Sequence, residues 1–221
     1  MKTVVISVGG SLIYPKTIDT KFLKELKPII KKASRKHKIV IVTGGGSVAR
    51  NYIHALNKQP IMLQNLIGIS CTRVNAQLIS SFIGNCNPKI PTSLKEVKSL
   101  SKRYPIVITG GLKPGTTSDG TTAEIAKILK ADLLINMTNV KGLYDKDPSK
   151  HKDAKFIKNI CHKHFKQMID KVKAKPGQHF VLDQTAAKVC RNNNIPVAII
   201  KGNKNLEKIL HNKNFTGTTI F

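Results

Sequence analysis

The tightest constraint on this chain is where its glycines fall. Val4-Val5-Ile6-Ser7-Val8 runs directly into Gly9-Gly10-Ser11, and Ile39-Val40-Ile41-Val42-Thr43 runs into Gly44-Gly45-Gly46-Ser47. Farther along, Ile106-Val107-Ile108 leads through Thr109 to Gly110-Gly111-Leu112-Lys113-Pro114-Gly115. Short, continuous β-branched runs of this kind predict buried parallel strands. Such strands leave main-chain N–H groups free at their carboxyl ends, and glycine lets an anionic ligand come close to that backbone. The pattern predicts phosphate binding along one edge of a sheet.

Between these runs the apolar period changes to that of a helix. Phe22, Leu23, Leu26, Ile29 and Ile30 keep helical spacing after Asp19, a side chain suited to capping. Ala49, Ile53 and Leu56 mark a second helix, and Leu66, Ile69, Val74 and Leu78 mark a longer one over Ile61 to Ile83. A short strand near Ile90 and a helix over 93–102 are expected next. Ser118 or Asp119 is placed to cap a helix that buries Ala123, Ile125, Ala126 and Leu129, ahead of a strand over 133–137. The last third predicts a helix near 162–172, a loop at Pro176-Gly177, a helix over 183–193, a strand over 197–200, a helix over 205–211 and a strand over 218–220. This alternation implies a mainly parallel sheet covered by helices on both faces.

At 221 residues the chain fits one domain or two intimately packed lobes, without a linker, a repeat or a low-complexity tract. No uninterrupted apolar run approaches the roughly 20 residues of a membrane span, so a soluble protein without membrane association is expected. Met1-Lys2-Thr3 followed by Val4-Val5-Ile6 imitates the start of a signal peptide, but Gly9-Gly10 ends the apolar stretch without a cleavage pattern. The four cysteines, Cys71, Cys86, Cys161 and Cys190, lack paired spacing and suit reduced thiols in the cytoplasm. Cys161-His162-Lys163-His164 offers metal-binding side chain types, but no second cluster completes a tetrahedron, so a helix start is expected there and no protein-held metal. The formal charge of +26, from 38 Lys and Arg against 12 Asp and Glu, attracts polyanions in general. The lysines are spread along the whole chain, and aromatic residues make up only 5% without an interleaved pattern, so a nucleic-acid partner is not expected.

None of the glycine turns is a Walker A sequence, and none matches the G-x-G-x-x-G fingerprint. Read together with their surroundings, they resemble the amino acid kinase superfamily, and within it the archaeal-type uridylate kinases. The resemblance rests on Val8-Gly9-Gly10-Ser11, Thr43-Gly44-Gly45-Gly46 with Ala49-Arg50-Asn51-Tyr52-Ile53, and Thr72-Arg73 with Asn75-Ala76. It continues through Gly110-Gly111, Pro114-Gly115 and Asp119, then Lys130-Ala131-Asp132, Thr138-Asn139-Val140 with Gly142, Tyr144 and Asp147-Pro148, and Gly217-Thr218-Thr219-Ile220. It implies a three-layer αβα sandwich in a single domain over 1–221, with the acceptor bound by about residues 1–130 and ATP by about 131–221. The implied reaction is phosphorylation of UMP by ATP with Mg²⁺, in pyrimidine nucleotide synthesis, by a hexameric enzyme.

Under that resemblance Gly9, Gly10 and Ser11 touch the transferring phosphates, with Gly46 and Arg50 assisting on the ATP side. Gly45, Asn65 and the stretch Leu112, Lys113, Pro114, Gly115, Thr116, Thr117 and Ser118 hold UMP, while Thr138, Asn139, Tyr144 and Asp147 line the nucleoside of ATP. Asp119 organises cationic groups, as the central catalytic carboxylate. Elementary chemistry agrees with that role: a phosphate monoester loses its second proton near pH ~6, so the attacking oxygen is already anionic and no base is required. In-line placement and charge stabilisation are what the step needs.

Several positions depart from the family pattern. Ser7 stands where many members carry a lysine, and Lys16, Arg50 and Lys201 are the candidate substitutes. Lys141 stands for an aspartate, Asn65 for an acid that grips the acceptor ribose, and Gln184 for a proline after Asp183. Two other readings remain open. One is a kinase of the same fold acting on another small acceptor such as isopentenyl phosphate, although the expected histidine is missing at Ser47-Val48-Ala49-Arg50 and His54 lies farther along. The other is a non-catalytic relative that binds nucleic acid.

Overall fold

The computed structural model describes residues 1–148, 150–171 and 181–221. Strand β1 (Lys2–Val8) leads into a single turn of helix, α1 (Gly10–Ile13), and then α2 (Thr20–Ala33). Strand β2 (His37–Thr43) is followed by α3 (Gly46–Ala55), α4 (Ile61–Ile83), α5 (Leu94–Arg103) and β3 (Ile106–Thr109). Helix α6 (Ser118–Ile128) precedes β4 (Leu133–Thr138), a small hairpin of β5 (Leu143–Tyr144) with β6 (Phe156–Ile157), and β7 (Asn159–Ile160). The chain finishes with α7 (His162–Lys171), α8 (Gln184–Asn192), β8 (Val197–Lys201), α9 (Asn203–Leu210) and β9 (Gly217–Ile220).

Among the described residues, seven strands form one sheet in the order β3-β2-β1-β4-β8-β9-β7. Strands β3, β2, β1, β4 and β8 are mutually parallel, and β9 turns antiparallel to β8. The pleat sorts side chains strictly. Ile6, Ile41, Ile135 and Ile200 face a layer that includes α1, α2, α4 and α9. Val5, Val42, Leu134 and Ile199 face a second layer of α5, α6, α7 and α8. A three-layer αβα sandwich results, as the alternation predicts.

Helix α2 begins where expected, with the Asp19 carboxylate accepting from the Phe22 N–H at 2.8 Å, and it buries the five apolar positions predicted for it. Helix α4 keeps its predicted bounds, but Leu66 and Val74 lie on its exposed side while Ile69, Ala76, Ile79 and Ile83 face inward. By length and hydropathy this helix is long and apolar enough to cross a membrane. In this fold it is instead a layer helix, packed against α2, α3, β2 and β3.

Two expectations need correction. No strand forms near Ile90. The Asn87 side chain occupies the free edge of β3 instead, accepting from the Ile108 N–H at 2.6 Å and donating to the Ile108 carbonyl at 3.0 Å. One buried amide thus pairs a backbone segment that a further strand would otherwise have paired. The cap of α6 is Thr117, whose Oγ1 accepts from the Gly120 N–H at 2.9 Å; Ser118 and Asp119 lie inside its first turn. The strands β5, β6 and β7 and the one-turn helix α1 had no signal in the sequence, each being too short to show a period. The loop expected at Pro176-Gly177 lies outside the described residues.

Candidate active site

From β1 the chain passes to β2 and β3 on one side, whereas β4 pairs with β1 on the other. The order therefore reverses at the tip of β1, which is where open α/β sheets bind ligands. Gly9 and Gly10 stand at that point. Gly9 donates to the Met137 carbonyl at 3.0 Å, and Gly44 donates to the Val8 carbonyl at 2.9 Å, so both glycine turns are pinned to β1 and its neighbours. The turns also touch each other directly: a Cβ at Gly10 would lie 2.0 Å from the Gly46 nitrogen, and Gly46 has a φ of +70°. No other residue type fits that junction. Helices α1 and α3 both start here; the Ser47 N–H of α3 is taken by the Tyr14 carbonyl at 3.4 Å and the Leu12 N–H of α1 by the Gly9 carbonyl at 2.9 Å, while first-turn N–H groups not engaged in this way can face an anion.

The third turn is joined to the second through α4. Thr72 Oγ1 accepts from the Gly111 N–H at 2.7 Å, and the Thr72 carbonyl accepts from Thr43 Oγ1 at 2.7 Å. Arg73 Nε donates to the Gly111 carbonyl at 3.1 Å, and Asn75 Nδ2 donates to the Gly44 carbonyl at 2.7 Å. The Thr-Arg-x-Asn motif thereby acts as a brace between glycine turns that are distant in sequence. The loop it steadies carries half-buried Thr116 and buried Leu112, with Lys113, Pro114 and Gly115 exposed and Thr117 and Ser118 opening α6.

Asp119 hangs from the first turn of α6 over the tips of β1 and β4. Its Oδ1 accepts from Ser7 Oγ at 3.1 Å, and its Oδ2 faces Asn136 Nδ2 at 3.5 Å. Burial, with the Asp183 carboxylate adding repulsion, pushes the Asp119 carboxyl up to about 6. Asp183 caps α8 by accepting from the Ala186 N–H at 2.7 Å and also accepts from the Thr117 hydroxyl. The starts of α6 and α8 are thus tied together beside the same acid pair. The contacts of Ser7, Asn136 and Asp183 with Asp119 are not visible in the sequence, because they span 112, 17 and 64 positions, respectively. The only local hint was the polar Ser7 and Asn136 inside otherwise apolar strands.

The remaining expected residues fall on several elements. Thr138 ends β4, and its hydroxyl bonds to Asn139 Oδ1 at 3.3 Å. Tyr144 lies in the β5–β6 hairpin, edge-on to Phe156 with ring centroids 5.4 Å apart, and Asp147 follows it with Lys150 at 3.9 Å. Thr218 anchors this hairpin to β9 by accepting from the Leu143 N–H at 2.8 Å and donating to the Ile157 carbonyl at 2.6 Å. Arg50 is exposed on α3, and Asn65 is half-buried on α4, about two turns before the brace. Cys161 leads into α7, whose first residue His162 donates its N–H to the Phe221 carbonyl. Among the described residues no group of three or more His, Cys, Asp and Glu gathers to hold a metal.

The chain is similar along nearly its whole length to proteins named uridylate kinase. A uridylate kinase of Methanoregula boonei is 35% identical over 95% of this chain and 92% of its own. One from Thermoplasma volcanium is 36% identical over 99% of this chain and 97% of its own. The crystal structure of uridylate kinase from Archaeoglobus fulgidus superposes with a TM-score of 0.90 at 32% identity, covering both chains completely. The family model described as the amino acid kinase family matches residues 2–201. With the fold, the glycine junction and these likenesses in agreement, the chain belongs to the amino acid kinase family.

Proposed function

We propose that this protein transfers the γ-phosphoryl group of ATP to UMP, giving UDP and ADP, as a step of pyrimidine nucleotide synthesis. The observation that carries this reading is the backbone contact between the Gly9-Gly10 and Gly44–Gly46 turns beside Asp119. It is supported by relatives and a solved structure that bear the name uridylate kinase.

In this reading the acceptor half, about 1–130, holds UMP with Gly45, Asn65 and Leu112 to Ser118, and the half from about 131 holds ATP with Thr138, Asn139, Tyr144 and Asp147. Gly9, Gly10 and Ser11 cradle the phosphates between them, with Gly46 and Arg50 alongside. The UMP phosphate attacks as a dianion, so Asp119 abstracts no proton. It fixes the hydroxyl of Ser7 and the amide of Asn136 and sets a negative potential that orders cations around the moving phosphoryl group. Mg²⁺ enters as part of the nucleotide substrate, held by phosphate oxygens and water, since the described residues offer no carboxylate cage.

The enzyme assembles with copies of itself, up to a hexamer, through the outer side of α3 and α4. Ile61, Met62, Leu66 and Val74 are 69%, 54%, 46% and 67% exposed there, next to Tyr52 at 55%. An apolar patch of this extent needs covering. The four free thiols suit a reducing cytoplasm.

A coupled assay of ADP release with UMP, CMP, AMP and isopentenyl phosphate tests the reading. UMP is expected to give the highest kcat/KM by at least about tenfold; an equal or better rate with another acceptor would overturn it.

A further inference from the structure

The centre described above has an unusual charge balance. Asp119 and Asp183 stand together, and among the described residues the side chains bonded to them are the neutral Ser7, Asn136 and Thr117. Two highly charged nucleotides must meet at this place. A cation is required on the phosphoryl group in flight, and among the described residues none is bonded there in the ligand-free structure.

The sheet itself points to one. The parallel strands end at Val8, Thr43, Thr109, Thr138 and Lys201, and Lys201 alone among these is charged. Lys201 pairs in register with Thr138, and Asn136 pairs with Ile199. Val197 and Ile199 of β8 face the layer of α6 and α8, as does Leu134 of β4. Alternation along the strands therefore sends Lys201, Thr138, Asn136 and Ser7 to the same face, the one from which Asp119 and Asp183 approach. Neighbouring strands lie ~4.8 Å apart and two residues advance ~6.7 Å, so the Cα of Lys201 is ~8 Å from that of Asn136. The flexible four-carbon stem of lysine spans most of that gap.

The other candidates approach from a different side. Arg50 belongs to α3, which packs on α1 and α4, and Lys16 follows α1, so both come from the side of the glycine turns and not from the sheet face that Asp119 and Asp183 share. Lys201 is exposed and takes part in none of the four ion pairs among the described residues; its backbone is fixed by the ladder to β4 and by Asn205 Nδ2, which donates to its carbonyl at 2.9 Å. Its ammonium is free to swing.

We infer that Lys201 is the cation that meets the transferring phosphoryl group, reaching across β4 into the space above Asp119. This rests on the proposed kinase activity. An oxygen of the UMP dianion forms a bond to the γ-phosphorus while the bond from that phosphorus to the bridging β,γ oxygen breaks. The electron pair stays on the β-phosphate of ADP. The lysine remains an ammonium throughout and exchanges no proton; it follows the charge as it moves.

Lys201→Gln, Lys201→Arg and, as a control for general surface charge, Lys204→Gln are to be compared with the unaltered protein. Steady-state turnover of UMP is followed, and binding of UMP and of a non-hydrolysable ATP analogue with Mg²⁺ is measured by calorimetry. Lys201→Gln is expected to lower kcat about 10²-fold, the usual loss when one preorganised contact to transition-state charge is removed. The same variant should weaken the ATP analogue at least about fivefold and leave UMP affinity unchanged. Lys201→Arg should recover most of kcat, and Lys204→Gln should match the unaltered protein. A kcat for Lys201→Gln within threefold of the unaltered protein, or an equal loss in Lys204→Gln, would overturn the assignment. If the unaltered protein turns over no UMP, the kinase reading fails, and the analogue-binding comparison alone then decides whether Lys201 holds a triphosphate.

Discussion

At the scale of single residues, the most informative side chain is Asp119, because its placement makes opposite demands on stability and on chemistry. Its carboxyl is pushed up to about 6 from an ordinary 3.8. The folded ligand-free protein therefore binds that proton more tightly than the unfolded chain. The stabilisation this gives is complete below about pH 3.8 and is lost as the pH rises through about 6. The loss is on the order of 1–3 kcal/mol, with the lower figure appropriate to a group partly open to solvent. Asp119→Asn removes the charge and keeps the shape. It should raise the melting temperature at pH 7, a gain that shrinks toward pH 4, while turnover falls by about 10²-fold or more. A variant that is less stable at pH 7 would contradict the account of its burial, and one of normal activity would move the organising charge elsewhere. Gly10 is the other residue with a sharp forecast. Gly10→Ala puts a methyl 2.0 Å from the Gly46 nitrogen, so the two turns must part. Turnover should be lost and the melting point should fall, by about 3 kcal/mol or more in stability, because backbone rather than a side chain must move.

At the scale of elements, the glycine turns were legible and their bracing was not. A strand followed by glycines is a local pattern, visible wherever Val, Ile and Gly adjoin. The hydrogen bonds from Thr72, Arg73 and Asn75 to the second and third turns cross about 30 to 40 positions, so the motif was recognisable only by likeness and its mechanical purpose was hidden. Helix caps divide in the same way. Asp19 and Asp183 each precede an apolar period and cap the expected helix. At α6 the sequence points to Ser118 or Asp119, but the cap is Thr117, one residue earlier, whose hydroxyl also reaches Asp183 across the gap to α8. The strand expected at Ile90 failed for a tertiary reason, since the Asn87 amide takes its pairing role. The brace makes a separable prediction. Arg73→Ala removes a single charge-assisted bond to the Gly111 carbonyl, so it should raise the KM for UMP several-fold with little change in the KM for ATP. Equal effects on both substrates, by steady-state kinetics, would place the third turn outside the acceptor site.

At the scale of the whole molecule, the excess of positive charge has a kinetic meaning even where it has no local partner. Both substrates are polyanions, and a protein of +26 draws them in over a distance that salt shortens. The self-association proposed for the outer face of α3 and α4 belongs to the same scale. Replacing Leu66 and Val74 together by Glu adds two charges to an apolar surface without touching the core. The mass in solution, by light scattering, should fall to that of a smaller species; an unchanged mass would place the contact on another face.

The end-to-end arrangement proposed for two nucleotides over the tip of β1 is tested most directly by a crystal structure with UMP and a non-hydrolysable ATP analogue. The γ-phosphorus and a UMP phosphate oxygen are expected to face each other in line, between Gly9-Gly10 and Gly44–Gly46. A structure with either nucleotide bound away from those turns, or with its phosphates pointing apart, would contradict it.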